Sequence, residues 1–288
     1  MPGKLFLCAT PIGNLGDITY RVVEALKNAD IIAAEDTRNS IKLLNHFDIH
    51  VPMTSYHEYN KIDKGRVLVA QMQEGKNVAL ITDAGTPGIS DPGEELVKMC
   101  IDAGIEVSPL PGPAACISAL IISGFSTRRF CFEGFLPNEK EDKKGQKAVL
   151  ERLKTETRTT VFYEAPHRFV RTLKIMCDAV GPDRRVAVCR ELTKKHETVF
   201  RGSISQTLTH YTENAPKGEI VLVVEGVSQK VLDEERHRAW QDISIEEHMK
   251  MYMEKGLTRK DAMKSVASDR GISRKEVYNY MVDRKKKD

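Results

Sequence analysis

The stretch LITDAGTPGISDPG, residues 80–93, decides the fold. It begins as an apolar run typical of a buried strand, and then places three glycines and two prolines between Gly85 and Gly93. Glycine admits positive φ and lets a ligand approach the main chain closely, whereas proline fixes φ and removes an N–H donor. A loop of this composition directly after a strand predicts a pocket whose wall is main chain.

Two further loops have the same character, ATPIGNLGD at 9–17 and LPGPAA at 110–115. Each follows an apolar strand pattern, and helical patterns separate the strands. The predicted strands are 4–9, 31–35, 77–82 and 106–110, and the predicted helices are about 18–29, 37–47, 60–74 and 114–124. This alternation predicts a parallel sheet in an α/β domain, with the loops together at the carboxyl edge where ligands usually bind.

A second set of strand patterns follows. These strands are predicted at 130–135, 159–164, 184–191, 197–202 and 218–226, with a charged exposed loop at 136–147 before a helix. The last strand is nearly continuous in β-branched residues, which predicts a central position. After Gly226 only helical patterns occur, at about 244–256, 258–268 and 273–284. We therefore predict an α/β domain at 1–115, a second at 116–226, and a basic helical appendage at 233–288.

Composition narrows the class of protein. The chain has 288 residues, 41% hydrophobic and 30% charged, with a net charge of +3, which is typical of a globular protein. It has no apolar run of about 18 residues and no signal-peptide layout at its start, so we expect a cytoplasmic protein without a membrane span. Six cysteines form no CxxC pair, which indicates reduced thiols and no zinc site. From Gly256 onward the sequence has ten Lys and Arg residues but five Asp and Glu residues, so the tail is basic.

The loops also exclude two kinds of nucleotide site. The chain has neither a GxxxxGK[ST] phosphate loop nor a GxGxxG fingerprint. A nucleoside-like ligand held by main-chain contacts suits the loops better than a polyphosphate. Asp83 and Asp91 leave a metal site open as an alternative, but Asp91 precedes PGEELVKM and is first interpreted as a helix cap.

Seven segments occur in an order that resembles the tetrapyrrole-methylase superfamily, and the resemblance covers roughly residues 4–226. They are ATPIGNLGDIT, AAEDTR, TDAGTPGISDPG, LPGPAA, FYEAPHR, RELTKKHE and KGEIVLVVEG. Within the superfamily the chain is similar to the branch that methylates small-subunit ribosomal RNA. The resemblance implies two α/β domains with S-adenosylmethionine in the cleft between them. It further implies a homodimer that methylates the 2′-hydroxyl of a cytidine in the decoding region of 16S ribosomal RNA, without a metal.

The resemblance also implies a cofactor site, carried over residue by residue. The expected contacts are Pro11, Gly13, Gly85, Thr86, Pro87, Ile89, Ser90, Ala114, Ala115, Tyr163, Leu192, Gly218 and Glu219. Two positions depart from relatives. Glu164 stands where relatives often have the methionine of FYM, and Thr86 stands where relatives that act on tetrapyrroles have Asp.

Methyl transfer to a ribose hydroxyl needs a base in line with the methyl group. The candidates are Glu35, Asp36, Asp83 and His57, and Arg38 is a candidate phosphate ligand. Asp36 and Arg38 fit a helix-capping ion pair equally well, and His57 fits a structural role. Tyr56 and Tyr59 could stack on a base. Further basic residues could follow an RNA backbone or form a solvated surface: His167, Arg168, Arg190, Lys194 and Lys195.

Three functions remain open from the sequence. The first is RNA 2′-O-methylation, the second is methylation of a tetrapyrrole-type small molecule, and the third is a non-catalytic RNA-binding role in ribosome assembly. The basic tail and AEDTR argue against the second, and the three intact loops argue against the third. Residues 258–285 fit a helix-turn-helix with a turn at Gly271, or alternatively a helical cap or dimer prop.

Overall fold

The computed structural model describes residues 1–285 of the chain. Its first sheet has the strand order β3-β2-β4-β1-β5, and every pairing in it is parallel, as predicted. The strands are β1 (Lys4–Cys8), β2 (Ile31–Ala34), β3 (Met53–Ser55), β4 (Val78–Ile81) and β5 (Glu106–Leu110). The connecting helices are α1 (Tyr20–Asn28), α2 (Thr37–His46), α3 (Lys61–Gln73) and α4 (Gly93–Asp102).

Helices cover both faces of this sheet. All four residues of β4 are buried, and their side chains alternate between two apolar clusters. Ala79 and Ile81 pack with α1 and α2, whereas Val78 and Leu80 pack with α3 and α4. The continuous apolar run of β4 follows from this burial on both faces. The carboxyl ends of the five strands meet at one edge, which therefore carries all the glycine- and proline-rich loops.

The second sheet is mixed, with the order β6-β7-β10-β8-β9. β6 and β7 are parallel and the remaining pairings are antiparallel. Its strands are β6 (Phe130–Phe135), β7 (Thr159–Glu164), β8 (Arg185–Arg190), β9 (Thr198–Ser203) and β10 (Ile220–Val224). The central position predicted for the last strand is confirmed, because β10 lies between β7 and β8 with all five residues buried.

Four helices occur in this half of the chain. They are α5 (Ala115–Ser123), α6 (Glu139–Thr155), α7 (Pro166–Val180) and α8 (Ile204–Glu213). α5 packs Cys116, Ala119 and Leu120 against the sheet, and it ends at Gly124 with φ of 83°. Such a left-handed residue ends a helix most easily when it is glycine.

The expectation of a loop at 136–147 is wrong from Glu139 onward. α6 already begins at Glu139, and it has a kink at Asp142. Asn138 accepts a hydrogen bond from the Lys140 N–H (3.2 Å), and Asp142 accepts one from the Gly145 N–H (2.8 Å). Short polar side chains that accept from main-chain N–H groups therefore start the helix and restart it after the kink.

The chain groups into two compact units. The first comprises residues 1–150 and 159–225 and holds both sheets, and the second comprises 151–158 and the chain from Gly226 onward. The second unit contains α9 (Gln229–Arg238), α10 (Ile245–Glu254), α11 (Arg259–Arg270) and α12 (Arg274–Lys285). Its buried core residues are Met249, Ala262, Val266, Ala267 and Val277. The domain boundaries given from the sequence remain predictions. No helix within residues 1–285 combines the length and the apolar character needed to cross a membrane.

Candidate functional site

Hydrogen bonds join the three glycine- and proline-rich loops into one wall. The Thr10 N–H donates to the Gly85 carbonyl (2.9 Å), and the Gly85 N–H donates to the Thr10 carbonyl (3.1 Å). The Thr86 hydroxyl donates to the Pro113 carbonyl (3.0 Å), which ties the second loop to the third. Gly85 has φ of 86°, a backbone conformation that is costly for any residue with a side chain.

Asp91 holds the second loop in shape. Its carboxylate accepts hydrogen bonds from the N–H groups of Gly88 (2.8 Å), Ile89 (3.0 Å) and Gly93 (2.8 Å). Gly93 is the first residue of α4, so Asp91 serves the start of that helix although Pro92 occupies the cap position. In residues 1–285 no three His, Cys, Asp or Glu side chains are grouped so that they could hold a metal ion.

A cavity of about 400 Å³ lies between these loops and the second sheet, within the first unit. It is lined by Ile12, Ala84, Ala115, Phe135, Tyr163, Glu164, Ala165, Pro166, Gly218, Glu219, Ile220 and Val221. Small-molecule sites typically have volumes of about 300–1,000 Å³, so the cavity is large enough for a nucleoside-sized ligand.

Four of the expected cofactor contacts line this cavity: Ala115, Tyr163, Gly218 and Glu219. The others stand in the surrounding loops without lining it: Pro11, Gly13, Gly85, Thr86, Pro87, Ile89, Ser90, Ala114 and Leu192. Sequence reasoning missed Ile12 and Ala84, although each is flanked by an expected contact in the same loop. It also missed Phe135, the last residue of β6, and Ala165 and Pro166, which follow β7; none of them carries a glycine signal.

Tyr163 stands at the centre of an aromatic group on the second sheet. Its ring lies edge-on to Phe132, with ring centroids 4.9 Å apart, and edge-on to Phe135 at 5.9 Å. Burial raises the pKa of the Tyr163 phenol well above its ordinary value, with Cys116 close by as a further cause. Tyr163 is therefore neutral and forms a largely apolar wall.

A charged cluster includes Glu219, which lines the cavity. The Lys194 ammonium pairs with the carboxylates of Glu191 (2.9 Å) and Glu219 (3.1 Å). The Glu219 N–H, and next the Lys194 ammonium, lower the pKa of Glu191. A Cβ at Gly13 would lie 2.3 Å from Lys194 Cγ, so the missing side chain at Gly13 makes room for this lysine. Glu191 and Thr193 have positive φ of 54° and 66°, an uncommon conformation that often marks functional turns.

Glu164, which departs from the methionine of relatives, is a buried and fully paired carboxylate. It accepts hydrogen bonds from the Thr172 hydroxyl (2.6 Å) and the Ala165 N–H (2.8 Å), and Arg168 Nε lies 3.4 Å away. Arg168 also donates to the Leu136 carbonyl (2.6 Å). Arg168 and Lys194 therefore both make contacts within the protein. Neither suits the RNA-backbone contact that the sequence suggested.

The carboxylates expected to act as a base differ sharply in their surroundings. The Asp36 carboxylate makes a two-pronged contact with Arg38 (3.0 and 2.6 Å) and also caps α2. Hydrogen bonds from Arg38 lower the pKa of Asp36 to about 2. Glu35 is half-buried, and burial raises its pKa; the hydrogen bond from the Asp83 N–H opposes this shift and the negative charge of Asp83 adds to it. A group that must take a proton near neutral pH is better served by the Glu35 environment.

The loop after β3 positions the remaining candidates. The Nδ1 atom of His57 is buried and has no hydrogen-bond partner in the described part of the chain, whereas its Nε2 lies 3.3 Å from Asn60 Nδ2. Tyr59 is 97% exposed and remains able to stack on a base. Stacking by Tyr56 is ruled out, because its ring is 1% exposed and its hydroxyl donates to the Pro92 carbonyl (3.0 Å).

The class of protein follows from a match to a known protein family. The family described as Tetrapyrrole (Corrin/Porphyrin) Methylases matches residues 4–207, and the chain belongs to this family. Two solved structures share the fold. They are a uroporphyrin-III-C-methyltransferase from Thermus thermophilus (18% identity, TM-score 0.55, covering 77% of this chain and 94% of that one) and the methyltransferase CobJ (19% identity, TM-score 0.58, 78% and 95%). The predicted fold class is confirmed.

Much more similar relatives carry the name Ribosomal RNA small subunit methyltransferase I. The protein of that name from Synechocystis sp. (strain ATCC 27184 / PCC 6803 / Kazusa) is 45% identical over 281 residues, which is 98% of each chain. The Bacillus subtilis (strain 168) protein is 47% identical, over 96% of this chain and 93% of its own. The Thermotoga maritima protein is 44% identical over 224 residues, which is 78% of this chain but 99% of that one. The branch expected from the sequence motifs is confirmed.

Family membership implies S-adenosylmethionine as the methyl donor, and the cavity residues fit it. Ala84 and Ala115 present only small side chains to the cavity, which leaves room for close approach. None of the described residues that line the cavity is Lys or Arg. Glu164 is paired within the fold, whereas the Glu219 side chain is 69% exposed and suits a ligand with a sulfonium and an ammonium group.

Proposed function

We propose that the chain transfers a methyl group from S-adenosylmethionine to the ribose 2′-hydroxyl of a cytidine in the decoding region of 16S ribosomal RNA. Relatives that match it over nearly its whole length, and that are named for small-subunit ribosomal RNA, support the substrate. The single structural observation that carries the proposal is the cavity between the joined loops and the second sheet.

The cofactor contributes an electrophilic methyl group, and the chain contributes position. Ile12 and Ala84 of the joined loops line the cavity, held by the hydrogen bonds of Thr10 and Gly85, and Tyr163 of the second sheet adds an apolar ring. Such a rigid wall supplies the in-line geometry on which methyl transfer depends. Glu219, which lines the cavity and contacts Lys194, is proposed to bind a cationic group of the ligand.

Glu35 is proposed as the base that takes the hydroxyl proton. It follows β2 on the loop-bearing edge, and its carboxylate lies 3.5 Å from the Asp83 N–H, immediately before the cavity residue Ala84. Asp36 is assigned to positioning, because Arg38 occupies both of its oxygens. Arg38 has an 88% exposed side chain, which keeps it available to an RNA phosphate.

The RNA partner is proposed to be bound within the assembled small subunit, in the cytoplasm, with help from the second unit. α11 and α12 are joined at Gly271, which has φ of 63°, and Val266 and Val277 bury the inner faces of the two helices. The outer face of α12 exposes Arg274, Lys275 and Tyr278, a set suited to phosphate and base contacts. The closing basic run at 283–287 lies outside the residues whose side chains are described.

A homodimer is also proposed, on the resemblance and on one exposed surface. α5 buries one face against the second sheet but exposes Ile117 (43%) and Ile121 (65%), four residues apart. Residues at this spacing lie on one helix face. Light scattering coupled to gel filtration would report a dimer, and Ile121→Glu should yield monomers. A monomeric wild-type protein would contradict this part.

The function is tested with radiolabelled S-adenosylmethionine and four acceptors: small subunits, naked 16S ribosomal RNA, large-subunit RNA and uroporphyrinogen III. Label in small-subunit RNA supports the proposal. Label in the porphyrinogen supports the small-molecule alternative, and RNA binding without transfer to any acceptor supports the non-catalytic one.

A further inference from the structure

A second cavity, of about 370 Å³, is not used by the proposed chemistry. It lies in the first unit, beside β9 and the end of α8, and we call it the β9 groove. Its residues are Arg190, 198–200, His210, Tyr211 and 214–217. Its lining adjoins that of the cofactor cavity, because Lys217 directly precedes Gly218 and Glu219, and Arg190 pairs across the sheet with Ile220.

The groove combines flat rings with positive charge. The rings of Phe200 and His210 are stacked, with centroids 4.5 Å apart and planes 16° apart, and Tyr211 lies edge-on to both. Among the described residues that line the groove, Arg190, His210 and Lys217 can be cationic and none is acidic. Glu197 and Glu213 flank it in sequence, and Glu197 is engaged by the Thr193 N–H (2.7 Å).

The arrangement is held in place by the fold. An Arg190 Nη1–H donates to the Lys217 carbonyl (2.8 Å), which fixes the turn between α8 and β10. Burial raises the pKa of the Tyr211 phenol, so this ring stays neutral beside Arg190. Stacked rings next to a fixed guanidinium and the exposed Lys217 ammonium match a nucleobase attached to a phosphate.

We propose that the β9 groove binds a nucleotide that neighbours the methylated cytidine in the single-stranded RNA substrate, with its base against the Phe200–His210 pair and its phosphate at Lys217. This rests on the proposed function, since the groove adjoins the cavity that is proposed to hold the methyl donor. The groove contributes to substrate affinity and leaves cofactor binding unchanged.

Three variants and one control test the groove. His210→Ala removes a stacking ring and His210→Phe keeps one, whereas Lys217→Glu reverses a charge at the exposed wall. Lys174→Glu, an exposed lysine on α7 outside the groove, makes the same charge change elsewhere. Fluorescence anisotropy with a single-stranded oligoribonucleotide of the decoding-region sequence measures RNA affinity over a salt series, and calorimetry measures S-adenosylmethionine affinity.

His210→Ala should weaken RNA binding by roughly 5- to 150-fold, the range that loss of one base–aromatic stack produces. His210→Phe should bind as the wild type does. Lys217→Glu should make the salt slope shallower by about 0.7, the effect of one lost phosphate contact on a single strand. Lys174→Glu should change neither, and cofactor affinity should be unchanged throughout.

Wild-type RNA affinity and salt slope in both His210→Ala and Lys217→Glu would overturn the groove assignment, even if methyl transfer to RNA is observed. Preference of the groove for an acidic peptide, seen as competition with the oligoribonucleotide, would also overturn it. Failure of the wild type to methylate RNA would instead refute the proposed function, and the binding series would still decide the groove.

Discussion

Two glycines of the same loop allow the cofactor wall to be tested with a matched control. Gly85 and Gly88 have nearly equal φ, 86° and 88°. A Cβ at Gly85 would lie 3.3 Å from Ile12 Cγ2 and 3.6 Å from the Pro113 carbonyl oxygen, whereas a Cβ at Gly88 meets no atom of the described chain within 4 Å. Alanine at either position carries the same left-handed backbone cost, about 1–2 kcal/mol. Both variants should therefore lose similar thermal stability, about 2–8 °C in Tm for a unit of this size.

Cofactor affinity should separate the two variants. At Gly85 the new methyl group pushes Ile12 toward the cavity that it lines. The ligand must then displace Ile12 back into an overpacked wall, at a cost of about 1–3 kcal/mol. That cost corresponds to roughly 5- to 150-fold weaker binding for Gly85→Ala. Gly85→Val adds two methyl groups and should abolish detectable binding, whereas Gly88→Ala should bind normally. Titration calorimetry with S-adenosylmethionine measures this, and equal affinities for the Gly85→Ala and Gly88→Ala variants would refute the assignment of this wall.

Three further predictions concern the base, the tail and pH. Glu35→Gln should lower kcat by about 10²–10⁴-fold without changing cofactor affinity, whereas Asp36→Asn should keep most activity; single-turnover kinetics showing the reverse order would make Asp36 the base. Deletion after residue 232 should preserve cofactor affinity and weaken binding to small subunits with a shallower salt slope, and filter binding with unchanged affinity and slope would make the tail purely structural. Burial, and then Arg270, lower the pKa of His248 below 6.5, with Asp269 opposing the shift. As pH falls, His248 therefore takes up a proton at a higher pH in the unfolded chain than in the folded one. The second unit should lose stability as pH falls below about 6.5. His248 is stacked on Trp240, the one tryptophan of the chain, at 3.7 Å, so Trp240 fluorescence during urea unfolding reports this, and pH-independent midpoints between pH 7 and 5 would contradict it.

The parallel sheet and its loop-bearing edge were predictable because local patterns determine them. The apolar run before Thr82 and the glycines after it mark a buried strand and a turn without any knowledge of distant contacts. Gly271 and Ser273 similarly mark the turn between α11 and α12. The first half of α6 was not predictable, because the short caps at Asn138 and Asp142 outweigh a charged composition that favours a loop.

Side-chain pairing is what the sequence could not settle at the site. Asp36 and Glu35 are adjacent carboxylates, and only the position of Arg38 shows that one is occupied while the other stands beside Asp83. Tyr56 and Tyr59 differ in the same way, since Tyr56 turns into the core and Tyr59 to solvent. Phe135 and Pro166 belong to the second sheet, yet they line the same cavity as loop residues of the first sheet. Such contacts between residues far apart in the sequence leave no local sequence pattern.

The central claim is tested most directly by nucleoside mass spectrometry of 16S ribosomal RNA after incubation of small subunits with the protein and S-adenosylmethionine carrying a deuterated methyl group. We expect deuterated 2′-O-methylcytidine from a decoding-region fragment, and none when the Gly85→Val variant replaces the wild type. Deuterium on a nucleobase, or in no RNA nucleoside while a tetrapyrrole acceptor becomes methylated, would contradict the account.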